Sequence, residues 1–224
     1  MGREARVTPT DTVFIVDDDA TFARGLSRLI RAAGWSAEVF ASAAEFLERG
    51  PRAGDGSGCV LLDVKMPGMK GPDLYRAMLE RKITLPVVFL TGHGDVPTSV
   101  DAMKLGAVDF LEKPVPGQIL VRTVRAALER HAADRRRERD RRDIESRLAL
   151  LSPREREVMG HVVAGRLNKQ IAADLGISLK TVKAHRAKVM EKMRAGSLAE
   201  LVDLCRAAGV EHPAYRMSPE PFQF

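Results

Sequence analysis

The sequence has few cysteines and no long apolar run. Its two cysteines, Cys59 and Cys205, lie far apart in a chain of 224 residues, which predicts free thiols in a reducing compartment. No apolar stretch approaches the roughly 20 residues that a transmembrane helix needs. The N-terminus lacks the apolar segment of a secretory signal and the pattern for myristoylation, and no internal repeat is visible. We therefore expect a cytoplasmic protein with no membrane partner.

The excess of positive charge is confined to the C-terminal part of the chain. Residues 1–131 contain 17 basic and 17 acidic residues, residues 132–150 contain 7 and 5, and residues 151–224 contain 12 and 8. The net charge of +6 therefore arises after residue 131. This asymmetry indicates either an anionic partner for that part, with nucleic acid as the first candidate, or a solvated basic surface without a partner.

The first half of the chain alternates short apolar runs with helical patterns. Helix signals include an apolar stripe that begins at Phe22 and ends before Gly34, a capping box from Ser42 to Glu45, and prolines at Pro72 and Pro97. Runs rich in Val, Ile, Leu and Phe predict strands at residues 13–16, 37–40, 60–62, 87–90 and 108–111. This alternation predicts an α/β fold with a five-stranded parallel sheet and helices on both faces.

The second half contains only helix signals. Ser152 and Glu155 form a capping box around Pro153, and Ser197 and Glu200 form another. Residues 169–175, 176–178 and 179–193 predict a helix, a tight turn and a second helix, which is a small all-α helix-turn-helix domain. We therefore predict a flexible N-terminal tail at 1–11, an α/β domain at 12–131, a charged helical linker at 132–147, a helix-turn-helix domain at 148–210 and a C-terminal tail at 211–224. A basic arm that touches DNA is the alternative for the linker.

Acidic residues follow two of the predicted strands. Asp17, Asp18 and Asp19 come directly after the first strand, and Asp63 follows the third. With a flavodoxin-like strand order of 2-1-3-4-5, these strands are neighbours, and ligands of open parallel sheets bind beyond their carboxyl ends. A divalent cation such as Mg²⁺ relieves the repulsion between clustered carboxylates. The alternative is that the three consecutive aspartates only cap the first helix and that Asp63 is an ordinary loop residue.

Two more polar side chains follow the fourth and fifth strands. Thr91 and Lys113 would bring a hydroxyl and an ammonium to the same edge of the sheet. The alternative is that Thr91 is only a polar strand end and Lys113 only a solvated residue. The combination resembles the receiver domain of response regulators over roughly residues 11–130. The matching residues are Asp17-Asp18, Asp63 followed by Met66-Pro67-Gly68, Thr91, and Lys113-Pro114.

The resemblance implies a phosphoacceptor and a metal site. Asp63 would take a phosphoryl group from a phosphohistidine of a cognate histidine kinase. Asp18 and Asp63 would bind Mg²⁺ directly, and Asp17 would bind it through water. The backbone carbonyl of Lys65 would be a further ligand.

The same resemblance implies a switch. Lys113 and the metal would neutralise charge on the transferring group, and Thr91 would hydrogen-bond the attached phosphoryl oxygen. Phe110 would then turn inward, although considered by itself this residue fits a place in the core better than a switch. The surface of the fourth helix and fifth strand, from about Asp95 to Phe110, would change and form a dimer contact.

The second helix of the predicted motif is basic and fits the major groove of DNA. It belongs to a segment, residues 148–210, that resembles the LuxR/NarL/FixJ-type helix-turn-helix. The residues that carry this resemblance are at 151–158, 168–172 and 181–186.

This second resemblance implies DNA contacts and a dimer. Lys183 and Ala184 would face bases, and the helix from Ser197 to Gly209 would pair two copies on double-stranded DNA. Other DNA contacts would come from Lys169, Thr181, Arg186 and Lys188, of which Lys169, Thr181 and Lys188 would lie near phosphates.

The resulting hypothesis is a phosphorylation-dependent transcription regulator of the NarL/FixJ type that catalyses only its own phosphoryl transfer. A haloacid dehalogenase-type phosphatase is disfavoured because it needs a second aspartate two residues after the nucleophile, where this chain has Lys65. A receiver that serves as a phosphate sink is disfavoured by the basic helix, and an RNA-binding output domain by the type of helical motif.

Overall fold

The computed structural model describes residues 11–52, 57–92 and 106–209. The chain divides into two compact units, residues 1–135 and residues 136–224. The first unit is an α/β structure and the second is all helical, so the predicted fold class is confirmed.

The first unit contains a parallel sheet of five strands in the order β2-β1-β3-β4-β5, which is the predicted flavodoxin-like order. The strands are β1 (Thr12–Val16), β2 (Ser36–Phe40), β3 (Gly58–Asp63), β4 (Val87–Thr91) and β5 (Asp109–Glu112). Each predicted strand overlaps an observed one, and no strand end differs from its prediction by more than two residues.

Four of the described helices begin in this unit. They are α1 (Ala20–Ala32), α2 (Ala43–Arg49), α3 (Gly71–Glu80) and α4 (Gly117–Ala149). The hydroxyl of Ser42 accepts a hydrogen bond from the backbone of Glu45, but the Glu45 carboxylate bonds the backbone N–H of Ala41. The predicted capping box is therefore only half formed, because the carboxylate reaches one residue beyond the cap.

The sheet is covered by apolar side chains on both faces, which explains why its strands read as continuous apolar runs. Alternate side chains along each strand enter different layers, since successive residues of a strand point to opposite faces. One layer includes Phe14, Val16, Val60, Leu62, Phe46 and Phe89. The other includes Val13, Ile15, Leu61, Leu90, Ile30 and Leu120.

The second unit is built around a helix-turn-helix. Its helices are α5 (Pro153–Val163), α6 (Asn168–Leu175), α7 (Leu179–Met193) and α8 (Leu198–Ala207). Gly176 adopts a left-handed conformation, with φ of 62°, that ends α6 and starts the tight turn, and this conformation suits glycine. The capping box of Ser152 and Glu155 is complete, as predicted. The core of this unit includes Ile144, Val158, Ile171, Val182, Val189, Met193 and Leu201.

The Arg-rich segment predicted as a helical linker is helical, since α4 extends to Ala149. Its charges pair along the helix surface, with Glu138 accepting hydrogen bonds from both Arg141 and Arg142. None of the helices in the described ranges combines the length and the apolar character that a membrane span requires. The fourth-helix prediction at Pro97, the part of the predicted dimer surface between residues 95 and 105, and the tail at 211–224 lie outside the described residues.

Candidate functional site

Three carboxylates meet at the carboxyl edge of the sheet. Asp17 and Asp18 follow β1, and Asp63 is the last residue of β3, the neighbour of β1. One carboxylate oxygen from each residue lies within 4.8 Å of the other two. Asp17 and Asp63 are buried, whereas Asp18 is exposed. The sheet topology therefore brings together the acidic residues that the sequence pattern selected.

The third consecutive aspartate has a different place. The side chain of Asp19 accepts hydrogen bonds from the backbone N–H groups of Thr21 and Phe22, at 2.9 and 3.0 Å, and caps α1. These backbone bonds lower the pKa of the Asp19 carboxyl. The capping interpretation thus applies to Asp19, while the backbone N–H of Asp19 itself bonds the carboxylate of Asp17 at 2.9 Å.

Lys113 joins two of the three carboxylates. Its Nζ lies 2.7 Å from Asp17 Oδ2 and 2.9 Å from Asp63 Oδ1. It follows β5, and its backbone N–H bonds the carbonyl of Thr91 at 2.8 Å. Burial opposes the charge of this ammonium, but its hydrogen bonds to the two carboxylates outweigh that effect and raise its pKa. Lys113 is therefore a fixed positive charge at the edge of the acidic cluster.

Burial raises the pKa of Asp63, and the hydrogen bond from Lys113 offsets part of this rise. The neighbouring charges of Asp17 and Asp18 act in the same direction as burial. A desolvated carboxylate with like charges beside it is stabilised by a cation, and three carboxylate oxygens are ligands that Mg²⁺ accepts. The donor set thus fits a hard divalent cation.

Thr91 and Phe110 lie on adjacent strands beside this cluster. Thr91 ends β4, is buried, and its hydroxyl donates to the carbonyl of Gly92 at 3.0 Å. Phe110 is half-buried and stacks on Phe89, with ring centroids 5.0 Å apart and an interplanar angle of 19°. Phe89 precedes Thr91 by two residues and faces the same side of the sheet. The structure thus brings the two predicted switch residues to one region.

Gly71 has no side chain at a point where the backbone passes close to Asp63. A Cβ atom at Gly71, the first residue of α3, would lie 2.3 Å from the backbone oxygen of Asp63. The backbone N–H of Gly71 bonds the carbonyl of Val64 at 3.1 Å. The loop between them contains Lys65, whose side chain is exposed. Sequence reasoning missed Gly71, although its place just before Pro72 at a helix start is a visible signal.

The second unit presents a basic surface on α6 and α7. Lys169, Lys183, Ala184 and Lys188 are exposed, and Thr181 is half-buried. The backbone N–H of Thr181 donates to the hydroxyl of the N-cap residue of α7, Ser178, at 3.1 Å, which fixes the start of that helix. The predicted DNA contacts therefore lie where solvent, or a ligand, reaches them.

Arg186 differs from the other cations of this surface. Its guanidinium donates to the side-chain oxygen of Asn168, the first residue of α6, at 2.8 Å. Both residues line a depression of about 460 Å³ on this surface. Other residues that line it are Lys169, Lys183, Arg166, Leu167, Leu179 and Leu198.

Comparison with known proteins gives two family matches. Residues 13–125 match the response regulator receiver domain, and residues 149–205 match the LuxR family of bacterial regulatory proteins. The transcriptional regulatory protein FixJ of Bradyrhizobium diazoefficiens is 43% identical over 204 residues, which cover 91% of this chain and 98% of that protein. The chain belongs to the NarL/FixJ family of response regulators. It is therefore a transcription regulator with a receiver domain and a LuxR-type DNA-binding domain.

Other response regulators give similar values. The tetrathionate response regulatory protein TtrR of Salmonella typhimurium is 42% identical over 191 residues, covering 85% of this chain and 90% of that protein. Among solved structures, the response regulator StyR has a TM-score of 0.80 and 41% identity, over 88% of this chain and 98% of that one. Full-length FixJ from B. japonicum has a TM-score of 0.57 and 42% identity, over 92% and 100%. Membership of this family implies a histidine kinase partner and DNA as the ligand of the second unit.

Proposed function

We propose that this response regulator is controlled by phosphorylation of Asp63 and binds DNA as a dimer when phosphorylated. The observation that carries the proposal is the convergence of Asp17, Asp18 and Asp63 around Lys113 at one edge of the sheet. The domain boundaries we propose are those predicted from the sequence, with the receiver at residues 12–131 and the DNA-binding domain at 148–210. We also infer that it acts in the cytoplasm and has no other enzymatic activity.

The phosphoryl transfer follows from the position of Asp63. A carboxylate oxygen of Asp63 attacks the phosphorus of a phosphohistidine on the kinase, and the bond from phosphorus to the imidazole nitrogen breaks. The imidazole nitrogen leaves with the electron pair of that bond and then takes a proton. Lys113 lies within 2.9 Å of the attacking carboxylate and neutralises negative charge on the phosphoryl oxygens.

The carboxylates would hold Mg²⁺, with Asp18 and Asp63 as direct ligands and Asp17 acting through water. The backbone carbonyl of Lys65 would complete the protein ligands. When bound, the cation supplies neutralisation of charge on the transferring group.

The switch that we propose runs through β4 and β5. Once Asp63 is phosphorylated, the Thr91 hydroxyl leaves the carbonyl of Gly92 and donates to a phosphoryl oxygen. Phe110 then turns further inward from its stacked position on Phe89, and the surface beside β5 forms a dimer contact. The helix from Ser197 to Gly209 pairs the DNA-binding domains on two half-sites.

In the DNA complex, Lys183 and Ala184 face base edges near the start of α7. Lys169, Thr181 and Lys188 contact phosphates, and these contacts position the domain on the duplex. Arg186 also contacts the DNA, and its hydrogen bond to Asn168 holds the guanidinium in place.

Phosphorylation with acetyl phosphate and Mg²⁺ tests the proposal. We expect the intact protein to gain the mass of one phosphoryl group and Asp63→Asn to gain none. Asp73→Asn, on the exposed side of α3, is the matched control and should behave as wild type. Label on Asp63→Asn would refute the assignment. Hydrolysis of p-nitrophenyl phosphate would favour a phosphatase instead.

Sedimentation tests the dimer. Beryllofluoride with Mg²⁺ mimics the phosphoryl group, and we expect it to shift wild type from monomer to dimer in analytical ultracentrifugation. The Asp63→Asn variant should remain a monomer under the same conditions. A wild-type protein that sediments identically with and without beryllofluoride would contradict phosphorylation-dependent pairing.

A further inference from the structure

An aromatic ring lies against the ammonium of the acidic site. The Nζ of Lys113 is 4.5 Å from the centroid of the Phe22 ring, over its face. This distance is inside the limit of about 6 Å within which a ring attracts a cation. Phe22 lies in the first turn of α1 and is half-buried against the apolar layer below the sheet. Its backbone N–H bonds the Asp19 carboxylate, so the N-cap fixes the turn that carries the ring.

The Lys113 ammonium needs a contact that persists when Asp63 is phosphorylated. Its ammonium has three N–H donors, and Asp17 and Asp63 accept two of them in the unmodified protein. Phosphorylation of Asp63 changes this contact, because the carboxylate becomes an acyl phosphate and the negative charge moves outward to the phosphoryl oxygens. The attraction of a ring face depends less on direction than a hydrogen bond does. The ammonium can therefore move toward a phosphoryl oxygen while it remains against Phe22.

We propose that Phe22 is a positioning residue for phosphoryl transfer, which holds the Lys113 ammonium through its ring face. The inference rests on the proposed function of Asp63 and adds a residue from α1 to that site. Phe22 does not touch the reacting atoms in this arrangement. It acts by keeping the Lys113 charge aligned with Asp63 and by covering one side of the ammonium from water.

Apolar packing by Phe22 makes a different prediction. A ring that only fills space is replaced by leucine at little cost, and the electron density of its face has no effect. A ring that holds a cation loses its effect when fluorine withdraws that density, although its size hardly changes. Fluorination of one ring therefore separates the two roles.

The rate of Asp63 phosphorylation by acetyl phosphate with Mg²⁺ is measured for mono-, di- and trifluorophenylalanine at position 22. We expect a stepwise fall that reaches about fivefold with three fluorines, a similar or larger loss for Phe22→Leu, and near wild-type rates for Phe22→Trp. The matched control is the same series at Phe46, which packs on the rings of Phe14 and Phe40. Equal rates across the position-22 series would overturn the proposal.

A second measurement separates this proposal from the proposed function. In metal-free, unphosphorylated protein, the ring current of Phe22 should move the NMR signal of the Lys113 ε-methylene protons upfield, and Phe22→Leu should abolish this shift. An unchanged signal would overturn the contact. If wild type shows the shift but takes no phosphoryl group at Asp63, the function assigned to the site fails and the role of Phe22 in transfer fails with it, while the contact itself stands.

Discussion

Arg186 of α7 donates a hydrogen bond to the side chain of Asn168 at the start of α6, across 18 residues of sequence. The bond links the two helices of the helix-turn-helix at the surface that we expect to face DNA. A guanidinium held in this way loses less side-chain freedom on binding than a free one does. We therefore expect Asn168 and Arg186 to act together in DNA binding.

A double-mutant cycle tests this coupling. Asn168→Ala and Arg186→Ala should each weaken DNA binding about fivefold, and the double variant should be hardly weaker than either single variant. Binding is measured by fluorescence anisotropy with a duplex that wild type has selected from a random pool. Lys188 is an exposed residue on the same helix as Arg186. The loss of binding free energy caused by Lys188→Ala should add in full to that caused by Asn168→Ala. Full additivity between Asn168 and Arg186 would show that the hydrogen bond plays no part in binding.

Lys183 and Lys188 should differ in what they contribute to DNA binding. Lys183→Ala should lose about 1–3 kcal/mol on the selected duplex and discriminate less against base changes there. Lys188→Ala should weaken binding to all duplexes alike and lower the slope of log affinity against log salt by about 1. Gel shifts at several salt concentrations measure both quantities. Unchanged specific affinity of Lys183→Ala would remove it from the base-reading set.

Magnesium should stabilise the first unit through the acidic cluster. A ligand that binds only the folded state adds about 2.7 kcal/mol when its concentration is 100 times Kd. We expect Mg²⁺ to raise the unfolding temperature reported by Trp35, the only tryptophan of the chain. Asp18→Asn should remove this rise and should stabilise the metal-free protein, because it relieves charge repulsion. Asp73→Asn serves as the control. A rise of the same size in Asp18→Asn would place the cation elsewhere.

The pair of Glu155 and Lys192 should make the second unit sensitive to acid. Hydrogen bonds from Lys192 Nζ, at 2.7 Å, and from the backbone of Ser152 lower the pKa of Glu155 from 4.5 to about 2. A carboxyl group whose pKa is lower in the folded than in the unfolded protein stabilises the folded state at pH values above its unfolded pKa. This stability is lost as the pH falls from about 4.5 toward 2. The Glu155 side chain is buried, and its protonation should measurably destabilise the second unit.

Hydrogen exchange of α5 and α7 across this pH range measures the effect. Glu155→Gln should be less stable than wild type at neutral pH and should lose little more on acidification. Asp203→Asn on α8, where the carboxylate is exposed, is the control. A wild-type protein whose α5 and α7 are equally protected at both ends of the range would contradict the role of the pair.

The features of the fold that depend on local sequence patterns could be predicted from the sequence. The strands have continuous apolar runs because both faces of the sheet are covered, and helix caps such as Ser152 have short-range signals. Strand order then brought Asp63 to Asp17, because parallel strands end at one edge.

Other features depend on geometry that a linear pattern does not contain. Asp17, Asp18 and Asp19 look alike in sequence, yet one is buried beside Lys113, one is exposed and one caps a helix. The Phe22 ring belongs to an ordinary apolar stripe, and only the fold brings it to an ammonium 91 positions later. The second unit has a similar case in the contact of Asn168 with Arg186.

The lack of a side chain at Gly71 has a genetic consequence. Even a methyl group there collides with the carbonyl of Asp63, so a saturation library selected for function should retain glycine alone at this codon. Gly68, in the same loop, has a positive φ of 78° but open space around it, so the same library should recover asparagine there. The residues tolerated at positions 71 and 68 would thus distinguish a steric requirement for glycine from a requirement for a positive φ.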